Sequence, residues 1–241
     1  MTISKPKMIN VTTPLSKWVT SGKRKRTTKI AWHYTGKAEV TAKQTVYNWF
    51  LPIAQGKHPK SYASAHFVVD LNGDIYSMIP LDYVAYTTNS ANAYAIGIEC
   101  ATTGKDDHYT DKEYKAMVKL GAWLCDKYNL DPRKDFIRHY DVTKKVCPRY
   151  FVNNTKAWNN FKQDVYDYMK NGETSVFKQY YVRTTATSLN GRSKPSMEGE
   201  IVTKIPKGTV VTIVAENGEW RKTKSGYWIH KNYIEFIRYA Q

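Results

Sequence analysis

Three side chains stand out for the chemistry they could share. His33 closes the apolar run Ile30-Ala31-Trp32, and His139 follows a second run, Phe136-Ile137-Arg138. Cys147 comes eight residues later, just before Pro148. Two imidazoles and a soft thiolate make a good zinc set, and three protein ligands would leave a fourth position open for water. Ligands at strand ends would be held rigidly by the sheet. Spacing alone leaves the bland alternative standing, since a lone strand histidine is more often a core or surface residue and a lone cysteine more often packing.

Those residues need a scaffold, and the hydrophobic periods outline one. Thr41–Ala54 reads as a helix that stops before Gly56. Ala65–Val69 and Ile75–Ile79 flank Asn72-Gly73, a hairpin signal. Ala95–Ala101 alternates, with Ile96, Ile98 and Cys100 on one face and Gly97 and Glu99 on the other, which turns Glu99 away from the core. Thr110-Asp111-Lys112-Glu113 is a capping box opening a helix to Tyr128, with Tyr114, Met117, Val118, Gly121, Leu124, Cys125 and Tyr128 on one stripe. Thr155–Lys170 is a further helix, with Thr155 as its cap. Mixed strands and long helices predict an α/β (α+β) architecture, a mixed central sheet flanked by helices. Beyond Asn171-Gly172 the pattern changes to short β runs: 182–186, 201–205, 209–215, 219–223 and 226–229, with a Gly/Ser/Asn/Pro-rich stretch at 188–196. The expected domains are 1–172, a joint at 173–181, and a small all-β barrel at 182–241.

Composition limits what such a molecule does. Of 241 residues, 37 are Lys or Arg and 21 Asp or Glu, giving a net charge of +16. Eight of the Lys/Arg fall within residues 1–29, which hold no acid and include Lys23-Arg24-Lys25-Arg26. A basic surface suits a polyanion: nucleic acid, anionic lipid or an anionic wall polymer. Helix-turn-helix and zinc-finger spacings are absent, so nucleic acid is not expected. No run approaches the ~18 apolar residues of a membrane span, so insertion is not expected either. The basic N-terminal run has no apolar segment after it, so no signal peptide is read. Three cysteines make no disulfide framework, and Cys100 and Cys125 read as structural.

The run Ile137-Arg138-His139-Tyr140-Asp141-Val142-Thr143-Lys144-Lys145-Val146-Cys147-Pro148 resembles the zinc-binding tail of the type-2 N-acetylmuramoyl-L-alanine amidases. Trp32-His33-Tyr34-Thr35-Gly36 is similar to that family's first ligand strand. Ser64-Ala65-His66-Phe67 with Gly73-Asp74-Ile75-Tyr76 is similar to its central hairpin, and Ala95-Ile96-Gly97-Ile98-Glu99 to its acidic strand. The resemblance implies zinc (Zn2+) held by His33, His139 and Cys147, with Glu99 as general base and Lys145 facing the reacting carbonyl. His66 would contact substrate, unless it is a packing histidine. Two departures stand out: Ala65 occupies a position where some relatives carry tyrosine, and Cys147 one where many carry aspartate.

Residues 188–196, 205–211, 218–222 and 226–229 resemble a bacterial SH3-type wall-binding domain, with Trp220, Tyr227 and Trp228 as candidate wall contacts. Gly191 stands where a valine is usual. Together these resemblances imply a peptidoglycan hydrolase of the endolysin type, made in the host cytoplasm and acting on a Gram-positive wall after lysis. A bacterial autolysin with the same chemistry and a non-catalytic peptidoglycan binder are the alternatives.

Overall fold

A computed structural model describes residues 2–172 and 179–239. The chain divides into two compact units, Met1–Ser175 and Val176–Gln241. The joint expected at 173–181 lies mostly outside the described residues, and its last two residues, Tyr180 and Tyr181, already belong to a strand.

The first unit is a six-stranded mixed sheet. Its strands are β1 (Ile9–Asn10), β2 (Lys29–Tyr34), β3 (Phe67–Val69), β4 (Ile75–Ser77), β5 (Ala95–Cys100) and β6 (Phe136–Arg138), in the order β1-β4-β3-β5-β2-β6. Only the β3–β4 hairpin is antiparallel. Helix α1 (Ala42–Thr45) is capped by Thr41 and Gln44 and runs through a π turn (Val46–Phe50) into α2 (Leu51–Ala54). The remaining helices are α3 (Asp111–Tyr128), α4 (Pro132–Asp135), α5 (His139–Thr143), α6 (Arg149–Asn153) and α7 (Thr155–Asn171). Asn154, not Thr155, caps α7, its side chain accepting the Ala157 amide at 3.0 Å.

Both faces of the sheet are covered. On one, Trp32 packs against Phe136 and Phe161, and the ring cluster continues through Phe151 and Trp158. Helix α3 comes close here because Gly121 has no side chain; a Cβ would lie 2.9 Å from the Phe136 ring. The other face packs Val68 against Val46, Phe50 and Ala65, and Ala31 against Ala91 and Ala95. The alternation read for β5 is therefore present, but its Gly97/Glu99 side is a second packed layer rather than solvent, as parallel sheets require. Glu99 itself is half-buried there, on the side opposite Ile96, Ile98 and Cys100, as expected.

The basic N-terminal stretch is also built in. β1 extends the sheet, Ile3, Val11 and Val19 are buried, and Arg24 donates to the carbonyls of Ala95 and Leu81. Its charge is only partly free surface.

The second unit has seven antiparallel strands: β7 (Tyr180–Thr184), β8 (Ser188–Arg192), β9 (Ile201–Pro206), β10 (Val210–Asn217), β11 (Trp220–Thr223), β12 (Trp228–His230) and β13 (Ile234–Tyr239). Their order is β13-β7-β10-β11-β12-β8-β9, around Val182, Leu189, Ile205, Ile213 and Ile229. The turn-rich stretch at 188–196 is half strand: β8 pairs with β9 from Ser188 to Arg192.

Candidate functional site

His33 and Glu99 are register partners on adjacent parallel strands, so their side chains leave the same face of the sheet. His139 opens α5 instead of ending β6. The chain then reverses at Lys144, in the left-handed conformation, and the Tyr140 amide donates to the Cys147 carbonyl at 3.0 Å. That return brings the cysteine back beside both histidines.

One ligand atom from each of His33, His139 and Cys147 lies within 4.8 Å of the others, and all three residues are buried. Cys147 Sγ is 3.7 Å from His33 Nδ1, and the two imidazoles meet edge to face, centroids 4.9 Å apart. The Nε2 atoms point elsewhere: that of His33 to Thr88 Oγ1 at 2.8 Å, that of His139 to Asn89 Oδ1 at 3.1 Å. Glu99 Oε2 is buried without a hydrogen-bond partner among the described residues. Lys145 is exposed and close enough for its charge to act on His33, His139, Glu99 and Cys147.

Without a cation, burial drives each group towards its neutral form. Desolvation, then the charges of His139 and Lys145, hold His33 well below the usual imidazole range. Burial lowers His139 too, with Lys145 adding. It pushes the Cys147 thiol up to about 12 and the Glu99 carboxyl up to about 8, partly countered by Lys145. Two free imidazole nitrogens, a thiol and an unpaired carboxyl oxygen in one buried space fit a thiophilic dication.

Comparison with known proteins decides the family. Residues 23–150 match the N-acetylmuramoyl-L-alanine amidase family, and residues 187–235 match the bacterial SH3 domain. The chain belongs to the N-acetylmuramoyl-L-alanine amidase family. It is 33% identical over 124 residues to the amidase BlyA of Bacillus subtilis strain 168, covering 43% of this chain and 33% of BlyA. The chain spans only a third to under a half of the length of the curated relatives it matches. PlyL superposes with a TM-score of 0.55 at 20% identity, over 66% of this chain and 97% of PlyL. The catalytic domain of XlyA does so at 0.53 and 21%, over 65% and 99%. At such identities the superpositions establish a shared fold.

Within this amidase-family chain, His66 does not serve as expected. It is fully buried, its Nδ1 accepts the Gly97 amide at 3.0 Å, and its Nε2 lies 3.0 Å from both the Tyr83 carbonyl and Arg24 Nη1. Both ring nitrogens are occupied, so no ring atom is left for a substrate. Burial and the Arg24 charge hold it neutral, at about 3.

A Cβ on Gly191 would lie 2.7 Å from the Tyr227 ring, so that ring fills the room a valine would take. Tyr227 packs against the core of the unit and is half-buried. Trp220 is 8% exposed, its ring edge-on to His230 at 5.1 Å. Tyr227 and Trp228 both stay half-buried, with Lys222 Nζ 5.8 Å from the Trp228 ring centre. The larger exposed aromatics of this unit are Tyr233, Phe236 and Tyr239.

Sequence reasoning missed Thr88 and Asn89 altogether. They sit in a polar loop whose composition reads only as a turn.

Proposed function

We propose that the chain hydrolyses the amide between N-acetylmuramic acid and the L-alanine of the peptidoglycan stem peptide, as an endolysin that reaches a Gram-positive wall on release from the producing cell. The observation that carries this is the convergence of His33, His139 and Cys147 donor atoms within 4.8 Å, beside the unpaired Glu99 oxygen, in a chain of the amidase family. Zinc is the metal this donor set fits best. Held there, it would supply a Lewis acid that polarises the amide carbonyl and acidifies water at its open position.

The chain's own residues complete the reaction. Glu99 accepts the proton of the attacking water and returns it to the leaving amine, so one carboxylate serves as base and then acid. Its side chain leaves the same face of the sheet as His33, which places it to make this exchange. The ammonium of Lys145, exposed and near enough for its charge to reach His33, Glu99 and Cys147, would offset charge developing on the carbonyl oxygen. The SH3-type unit keeps the enzyme on its insoluble substrate, with Trp228 as a contact. The surplus of lysine and arginine adds attraction to anionic wall polymers. An autolysin would use the same chemistry, and only the route to the wall would differ.

The test is digestion of purified walls followed by mass spectrometry. New N-terminal alanine on released stem peptides is expected; new reducing sugar ends without it would overturn the assignment.

A further inference from the structure

One short loop holds both candidate ligand histidines. Thr88 and Asn89, neighbours in sequence, contact the far nitrogens of His33 and His139 at 2.8 and 3.1 Å. An amide oxygen only accepts, so the His139 contact requires a proton on Nε2 and leaves Nδ1 with a free lone pair. Thr88 Oγ1 has Thr87 Oγ1 at 2.9 Å to receive its own hydrogen, which frees it to accept from His33 Nε2. Both rings are thereby set in the same tautomer, with the bare Nδ1 of His33 facing Cys147 Sγ.

The loop is itself fixed. Asn92 Oδ1 accepts the amides of Thr87 and Thr88 at 3.0 and 2.6 Å. Asn89 adopts φ 54°, a left-handed conformation that asparagine tolerates well. Thr88 is fully buried. Gly97 leaves the room Thr87 occupies; a Cβ there would stand 2.1 Å from Thr87 Oγ1.

We propose that Thr88 and Asn89 are positioning residues that fix the tautomer and ring orientation of His33 and His139 for a metal held with Cys147. The inference rests on the metal reading of the site given above. Hydrogen bonds to the outer nitrogens of metal-binding histidines typically contribute 10–100-fold in metal affinity.

Two measurements test it on the full chain. In the zinc-free protein, nitrogen NMR of the imidazoles should report His33 and His139 as neutral rings protonated on Nε2; protonation on Nδ1 in either would overturn the proposal without any variant. Zinc affinity, read by chelator competition, should fall about 10–100-fold in Thr88→Val and in Asn89→Gly, which keeps the positive φ accessible. Thr88→Ser and Asn89→Asp retain an acceptor oxygen and should restore it. The visible spectrum of the cobalt-substituted protein should shift in the first pair and not in the second. Wild-type affinity and an unshifted spectrum in Thr88→Val and Asn89→Gly would refute the positioning role alone. A wild-type chain that binds no zinc would refute the metal reading, and this inference with it.

Discussion

Glu113 sits inside the first unit with neither carboxylate oxygen hydrogen-bonded among the described residues, and this dictates how stability must change with pH. Thr110 caps α3 by accepting the Glu113 amide at 3.1 Å, but the returning half of the expected capping box is not closed. The side chain turns inward instead, towards Asp70, Cys100 and Tyr109. Burial first, and then the charge of Asp70, push its carboxyl up to about 9; the nearby Thr110 amide lowers it only in part. In the unfolded chain the same group titrates near 4.3. Between those values the folded chain keeps a proton that the unfolded chain gives up. The stabilising contribution is therefore complete at low pH and is lost as pH rises towards 9. The slope is about 1.4 kcal/mol per pH unit, so going from pH 5 to pH 8 costs roughly 4 kcal/mol through this residue. That is a large share of the 5–15 kcal/mol typical of a folded domain. Glu113→Gln has nearly the same shape and no proton to lose. Urea unfolding of the full chain and the variant at pH 5, 6, 7 and 8, both free of metal, isolates the effect, since every other titrating group cancels in the difference. The variant should gain about 1.4 kcal/mol on the parent with each pH unit. Stability curves that stay parallel would refute the reasoning.

Glu99→Gln keeps all three candidate ligands but removes one of the two anions beside the metal, so it should hold zinc less tightly than the parent and, once zinc-loaded, lose about 10²–10⁴-fold in turnover of a soluble muramyl peptide, whereas Lys145→Ala should lose less; wild-type rates in zinc-loaded Glu99→Gln would point to another base. Gly97→Ala should cost about 1–3 kcal/mol in thermal unfolding, because the new methyl meets Thr87 at 2.1 Å. It should also weaken zinc binding by moving Thr88. Removal of residues 173–241 should leave cleavage of the soluble peptide intact and slow lysis of whole walls, measured at low and high salt; equal lysis in high salt would show that the SH3-type unit does not target the enzyme.

Much of this was legible in the sequence, and the limits have physical causes. Period-two and period-3.6 patterns report burial, so β2, β5 and α3 were visible as apolar rows, and the Asn72-Gly73 turn gave the hairpin. Pattern says less about what covers a face: it puts Gly97 and Glu99 on one side of β5 but does not show that Gly97 is packed against Thr87 while Glu99 stays half-buried. β1 is two residues long and joins the sheet at its edge, too short for any period to mark. The candidate ligands His33, His139 and Cys147 were brought together in the sequence by the family motifs around them, since residue type and spacing alone left the bland alternative standing. Thr88 and Asn89 were not readable, because threonine and asparagine in a loop usually serve the turn itself. In the second unit the exchange of Gly191 for bulk on Tyr227 is a cross-strand compensation, invisible until β8 and β12 are seen side by side.

The charge balance of the site carries a last consequence. Burial alone makes ions costly here, as the displaced equilibria of Cys147 and Glu99 record. A dication beside one thiolate and one carboxylate is neutral as a group, so each charge offsets the cost of the others. The third ligand then matters through its charge as well as its reach. Cys147→Ser keeps the size and removes the anion, leaving a net positive buried group next to Lys145. Cys147→Asp keeps the anion and supplies oxygen, a harder donor that zinc also accepts. Metal analysis after dialysis should therefore rank the parent first, Cys147→Asp second and Cys147→Ser last, with wall lysis following the same order. If Cys147→Ser holds as much zinc as Cys147→Asp, charge neutrality does not govern the site, and the sulfur contributes by softness and geometry alone.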